Sequence, residues 1–139
     1  MASRLNPYVN FDSNARAAME FYKSVFGGEL NLSTFGDYGQ STGTDAALIM
    51  HAQLETPGGF TLMASDTPAH IERTVGTNMS ISLSGTDEAE LTGYWNGLTD
   101  GATITQPLAK APWGDSFGML VDKFGIAWLV NISAPRVAI

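Results

Sequence analysis

The sequence predicts an α+β chain built from two βαβββ modules that pair around a cleft. Three observations carry that prediction. Hydrophobic periodicity gives the order strand, helix, strand, strand, strand twice over. Residues of the two halves match at fixed spacing, which is the mark of one supersecondary unit used twice. A length of 139 residues suits one domain made of two small similar units on a shared core. The expected organisation is therefore a single domain over residues 1–139, with a first module over 5–65 and a second over 77–132.

In the first module Tyr8–Phe11 is short and β-prone, a strand. Asp12-Ser13-Asn14 offers capping side chains before Ala15–Phe26, where Ala15, Ala18, Met19, Tyr22, Val25 and Phe26 form the i, i+3, i+4, i+7 stripe of an amphipathic helix. Gly27-Gly28 ends that helix. Residues 29–35 read as a strand and 36–44 as a polar, Gly-rich loop. Strands are expected over 46–54 and 60–64, joined by the turn Thr56-Pro57-Gly58-Gly59.

The second module repeats the order. Residues 79–83 alternate apolar side chains with Ser, the period of a half-buried strand. Asp87-Glu88 starts a helix with acidic residues in its first turn, where they suit the helix dipole. That helix runs to Leu98 and ends at Asp100-Gly101. A strand over 102–106 precedes a loop rich in Pro, Lys and Trp, and a last pair is expected over Ser116–Val121 and 126–132. Phe21-Tyr22 matches Tyr94-Trp95 and Gly28 matches Gly101 at a separation of 73, while Leu54 matches Leu120 and Gly59 matches Gly125 at 66. A single such unit leaves one sheet face bare, so neither half is expected to be stable alone.

Composition excludes several classes of function. With no Cys there is no disulfide framework, thiol nucleophile or Cys-ligated zinc or iron–sulfur site. The net charge is −7, and Arg4, Arg16, Lys23, Arg73, Lys110, Lys123 and Arg136 are scattered singly, so nucleic acid is not an expected partner. The start of the chain lacks the apolar stretch of a secretory signal, and no apolar run approaches the roughly 18 residues of a membrane span. A cytoplasmic protein without a membrane partner is expected. Only 15% of residues are charged, which points to extra surface buried in a homodimer.

A family resemblance rests on the run from Pro7 to Glu29, on His51-Ala52-Gln53-Leu54, on Leu62-Met63-Ala64-Ser65-Asp66, on Trp113-Gly114-Asp115 and on the run from Asp122 to Trp128. Together these resemble PhnB-like proteins of the vicinal oxygen chelate superfamily, which includes glyoxalase I, extradiol dioxygenases, and fosfomycin and bleomycin resistance proteins. The resemblance spans residues 5–132 and implies the glyoxalase/bleomycin resistance-type fold. It leaves the reaction open, since the superfamily holds isomerases, transferases, dioxygenases and drug-binding proteins. It also places the superfamily's metal-binding positions at Asn6, Met63, Asn78 and Leu129. Met is a soft ligand, Leu cannot coordinate, and neutral Asn oxygens bind weakly, so no metal and no cofactor is expected. PhnB-like sequences are also labelled methyltransferases of ubiquinone biosynthesis. This chain lacks the Gly-rich strand-to-helix turn and downstream acidic residue of a doubly wound cofactor fold.

His51 is the candidate catalytic residue, on a strand with Gln53 two positions on and so on the same face. It can serve as a general base or a hydrogen-bonding anchor; the other reading is a half-buried structural His. His70 reads as a solvated loop residue. Candidate ligand-binding residues are Tyr8 and Asn10, which alternate with Val9 and Phe11; Asn78 and Ser80, which with Ser82 alternate with Met79, Ile81 and Leu83; His51 and Gln53; and the aromatics Tyr38, Trp113 and Phe117 near the mouth of the cavity. The bland readings are an open sheet face for the polar rows and packing for the aromatics, with Trp128 assigned to packing. Asp12, Asp66 and Asp122 are assigned to turns and caps. The function expected first is metal-independent binding of a small organic molecule. The alternatives are a glyoxalase-like or dioxygenase-like enzyme (lyase, isomerase or transferase), with a shifted metal site or His51 as base, and a dimeric interaction module.

Overall fold

A computed structural model describes residues 3–39, 43–68 and 71–134. His70 lies outside the described residues, as do residues 40–42 of the loop expected over 36–44. The chain divides into two compact units, Met1–Val75 and Gly76–Ile139. Both have the βαβββ order that the sequence predicts, and the chain is an α+β protein.

The first unit contains β1 (Tyr8–Phe11), α1 (Ala15–Phe26), β2 (Glu29–Thr34), β3 (Ile49–Glu55) and β4 (Thr61–Asp66). Its sheet has the order β1-β4-β3-β2, with β1 parallel to β4 and the other pairs antiparallel. The helix packs on β2, β3 and β4. Its predicted stripe is the buried one: Ala15, Ala18, Met19, Tyr22 and Phe26 are inside, with Phe11, Ala52, Leu54, Leu62 and Ala64 from the strands. Period-two alternation then sends the other side chains of each strand to the opposite face of the sheet.

The cap of α1 corrects one expectation. Asn14 makes no side-chain cap, and the helix start is held instead from β4. Asp66 Oδ1 accepts the Ala15 N–H at 2.8 Å, and Oδ2 accepts the Ile49 N–H at 2.9 Å. One buried carboxylate thus ties the helix start to the start of β3, with its charge placed where the helix dipole favours it. A second correction concerns β3, which starts at Ile49 rather than 46. Gly43–Ala47 forms a short 3-10 turn, closed by the Leu48 N–H on the Asp45 carbonyl at 3.1 Å. A further 3-10 turn, Gly36–Tyr38, follows β2.

The second unit contains β5 (Ile81–Gly85), α2 (Glu88–Leu98), β6 (Thr103–Lys110), β7 (Ser116–Val121) and β8 (Ala127–Ile132), with sheet order β5-β8-β7-β6. Asp87 caps α2 by accepting the Glu90 N–H at 3.0 Å. Leu91, Trp95 and Leu98 are buried on α2, with Leu83, Leu120, Trp128, Val130 and Ile132 from the strands. Gly118 on β7 makes room for the indole: a Cβ there would stand 2.8 Å from Trp95 Cη2 and from the Leu108 Cα. Strand β6 runs to Lys110, beyond the expected end at 106, because register shifts on either side of Gln106 absorb Pro107 at the sheet's edge. Strand β5 starts at Ile81, two residues later than expected, so Asn78, Met79 and Ser80 lie exposed ahead of it.

Candidate functional site

The face of the first sheet opposite α1 is polar. Phe11 points into the core, so its neighbours Tyr8 and Asn10 stand exposed on the other side of β1. On β3 the alternation buries Ala52 and Leu54 and turns His51, Gln53 and Glu55 outward. Register sets Met63 of β4 between Tyr8 on one side and Gln53 on the other, and Ser33 of β2 opposite His51.

A row of hydrogen bonds crosses this face. Tyr8 Oη lies 3.4 Å from His51 Nδ1, and the two rings are 5.8 Å apart at a tilt of 39°. His51 Nε2 lies 3.3 Å from Gln53 Oε1. Gln53 Nε2 donates to Glu55 Oε1 at 2.6 Å, and the Thr61 hydroxyl donates to Glu55 Oε2 at 2.8 Å. Arg4 closes the row, donating to Thr61 Oγ1 at 3.0 Å and to Glu55 Oε1 at 3.2 Å. The Thr61 hydroxyl first, then the Gln53 amide, hold the Glu55 carboxyl below its usual pKa; the nearby Arg4 charge adds less.

The structure therefore brings Tyr8, His51 and Gln53 together. Asn10 stands beside them on β1, where its Oδ1 accepts from the Ser65 hydroxyl at 3.3 Å. Tyr38 ends the 3-10 turn after β2 and is 60% exposed. In the second unit Trp113 and Phe117 meet edge to face at 5.8 Å, with Trp113 63% exposed. The expected row of Asn78, Ser80 and Ser82 is corrected by the later start of β5: Ser82 and Ser84 are the exposed strand residues, and Asn78 and Ser80 precede the strand. Trp128 is packed, as assigned; it is 1% exposed and its Nε1 donates to Asp122 Oδ2 at 2.8 Å.

Glu55, Thr61 and Arg4 belong to the row, although sequence reasoning did not select them. The same alternation that pairs His51 with Gln53 continues to Glu55, so that residue had a signal. Thr61 faces Glu55 only through the β3–β4 register, and nothing local to Arg4 marks it.

The superfamily's metal positions do not present a donor set for a hard divalent cation. Asn6 Nδ2 donates to the Pro7 carbonyl at 3.2 Å, Met63 offers a thioether, Leu129 of β8 has no donor atom, and Asn78 is an exposed neutral amide. Among the described residues no group of three or more His, Asp or Glu is gathered to hold a metal ion. No helix among them is long and apolar enough to cross a membrane.

Comparison with known proteins fixes the family. Residues 3–131 match the family model described as 3-demethylubiquinone-9 3-methyltransferase. The structure is similar to that of a protein from Pseudomonas aeruginosa, at 36% identity and a TM-score of 0.83 over 95% of this chain and 98% of that one. It is also similar to a putative 3-demethylubiquinone-9 3-methyltransferase, PhnB protein, from Bacillus cereus, at 25% identity and a TM-score of 0.74 over 94% of this chain and 100% of that one. A glyoxylase/bleomycin resistance protein/dioxygenase domain from Frankia, 14% identical, shares the fold at a TM-score of 0.65 over 96% of this chain and 99% of that one. The chain belongs to the PhnB-like family described as 3-demethylubiquinone-9 3-methyltransferase, on the fold of the glyoxalase/bleomycin resistance/dioxygenase superfamily.

Proposed function

We propose that this protein is a metal-independent binder of a small organic molecule, working as a cytoplasmic homodimer, with the open face of the first sheet around His51 as its binding surface. The observation that carries the reading is the row from Tyr8 through His51 and Gln53 to Glu55. Ordering long polar side chains costs conformational entropy, and here that cost is met before any ligand arrives. The row is also open to solvent at its Tyr8 end, where a ligand can reach it; Tyr8 is 46% exposed. A few polar groups convergent among aromatic and apolar neighbours are what orient small molecules in binding sites. The donor-poor set Asn6, Met63, Asn78 and Leu129 supports metal independence.

The methyltransferase in the family's description is not part of this proposal. In this chain β1 leads into α1 through Asp12-Ser13-Asn14, without the glycines that bring a strand-to-helix turn close to a phosphate-bearing cofactor. A second reading has one observation in its favour: a phenol oxygen 3.4 Å from an imidazole nitrogen is also the start of a general acid–base pair.

The test is native mass spectrometry of protein purified from metal-supplemented medium, followed by identification of co-purified ligand and binding assays. The expected result is no stoichiometric metal, a mass of two chains, and ligand affinity that falls about tenfold in His51→Ala, one hydrogen bond's worth. Stoichiometric metal, or a mass of one chain at micromolar concentration, overturns the corresponding part. Turnover of the ligand that is abolished in His51→Ala replaces the binding reading with the enzymatic one.

A further inference from the structure

The row has a direction, and the direction can be read from its acceptor-only end. An ionised carboxylate offers no proton, so the bonds from Gln53, Thr61 and Arg4 must all be donated to Glu55. Of the two polar atoms of the Gln53 amide, only the nitrogen can lie 2.6 Å from Glu55 Oε1, because a flipped amide would set two acceptor oxygens against each other. The amide oxygen is thereby turned to His51 Nε2, and an amide oxygen only accepts. His51 Nε2 must carry the proton. In the neutral imidazole Nδ1 is then the bare nitrogen, with its lone pair facing outward along the sheet toward β1.

What meets that lone pair is the hydroxyl of Tyr8, at 3.4 Å. This is longer, by roughly 0.4 Å or more, than a good hydroxyl hydrogen bond, which spans about 2.5–3.0 Å. The phenol is therefore a weakly held donor on a ring open to solvent. Met63 lies in register beside both Tyr8 and Gln53 on the same face, and supplies a polarizable apolar surface suited to a flat ring.

We infer that this face recognises a neutral molecule carrying a phenol-type hydroxyl on a flat apolar body. The hydroxyl donates to His51 Nδ1 in place of Tyr8, and the body lies against Met63. The inference rests on the proposed binding function of this face and adds to it the ligand's hydrogen-bond polarity. Tyr8 is the chain's own stand-in for such a ligand. A molecule of the same shape whose oxygen is capped cannot donate, leaves the lone pair unmet, and is discriminated against.

The experiment uses the full chain labelled with nitrogen-15 histidine, with His70→Gln assigning the two histidines, and phenol and anisole as matched probes. In the free protein at neutral pH the His51 ring is expected to carry its proton on Nε2, and Gln53→Leu is expected to mix the two tautomers. Phenol is expected to shift the Nδ1 resonance and to bind about tenfold more tightly than anisole, the loss expected for one hydrogen bond. A proton found on Nδ1 of the neutral ring, or a tautomer unmoved by Gln53→Leu, overturns the inference and leaves the binding function standing. Equal binding of phenol and anisole at His51 does the same. If neither probe perturbs the His51 ring up to its solubility limit, the inference is overturned, while the binding function of this face is decided separately by the co-purified ligand and its affinity for His51→Ala.

Discussion

The two repeats close their last hairpin with the same backbone and different chemistry. In the first, Thr56 donates its N–H to the Phe60 carbonyl at 3.0 Å, and in the second Asp122 donates to the Ile126 carbonyl at 2.8 Å. Gly59 and Gly125 both adopt φ 86°, the left-handed value the turn requires. Thr56 adds one hydroxyl, which accepts the Phe60 N–H at 3.0 Å. Asp122 adds a buried carboxylate that accepts the Phe124 N–H at 2.8 Å, the Ile126 N–H at 3.1 Å and the Trp128 indole N–H at 2.8 Å. The same offset of 66 residues relates the open faces. His51, Gln53 and Glu55 correspond to Phe117, Met119 and Val121, and the register agrees, since Glu55 pairs with Thr61 as Val121 pairs with Ala127. The architecture thus tolerates either a hydrogen-bonding row or an apolar one at these positions. Backbone and buried stripe specify the fold, and the open face is free to specify function.

The largest expected effect separates the two helix-to-strand connections. Gly28 and Gly101 both have positive φ, 100° and 72°. A side chain at Gly28 would also overlap the Glu55 carbonyl oxygen and press on the backbone of Thr56, which cannot move without breaking the β2–β3 pairing. At Gly101 the nearest atom is the Lys123 Cβ at 3.0 Å, which has only to give by a few tenths of an ångström, while Cδ at 3.3 Å and Cγ at 3.7 Å can swing away. Gly28→Ala is expected to cost about 4 kcal/mol in urea unfolding and Gly101→Ala about 1–2 kcal/mol. Equal costs would show that φ alone decides both positions.

The hairpins come next. Asp122→Ala leaves three donors without their acceptor, one of them the indole of the fully packed Trp128, and is expected to cost about 3 kcal/mol or more. Thr56→Ala removes the acceptor of a single part-buried N–H and is expected to cost about 1 kcal/mol. The difference tests whether the second turn is anchored through Trp128. If Asp122→Ala costs no more than Thr56→Ala, the indole bond contributes nothing.

Much of this was legible beforehand, for reasons that differ by residue. The stripe in α1 and the alternation in β1 are local, and the observed bounds Tyr8–Phe11, Ala15–Phe26 and Ser116–Val121 are those read from the sequence. Long-range pairing was not legible. The cap on α1 comes from Asp66, 51 residues after the Ala15 N–H that it accepts, whereas the local candidates Asp12, Ser13 and Asn14 looked sufficient. The extension of β6 through Pro107 depends on bulges that only pairing with β7 reveals. In the candidate site, period two gave His51 and Gln53 together. That Tyr8 reaches His51 depends on β1 lying parallel to β4, with β3 on the far side, which no local pattern encodes.

The smallest effect concerns pH, and it belongs to the first repeat because Val121 stands where Glu55 does. The folded carboxyl of Glu55 is held below its usual 4.5. A depressed carboxylate favours the folded state above the unfolded pKa, and that contribution disappears as pH falls through the folded value. The bonds that Gln53 and Thr61 make to Glu55 should therefore persist through mildly acid solution and come apart only below the usual carboxylate range, where Gln53 loses its charged acceptor. Carboxyl carbon shifts from NMR titration read the midpoint directly. Since the Thr61 hydroxyl is the largest cause, ahead of Gln53, with Arg4 contributing less, Thr61→Val should raise the midpoint most, Gln53→Leu less and Arg4→Ala least. Arg4 and Glu55 form an exposed pair, which water and salt screen, whereas the Thr61 bond is short and part-buried. A larger shift from Arg4→Ala than from Thr61→Val would make the row an ion-pair device. Salt would then weaken it, whereas a row built on hydrogen bonds keeps its midpoint across ionic strength.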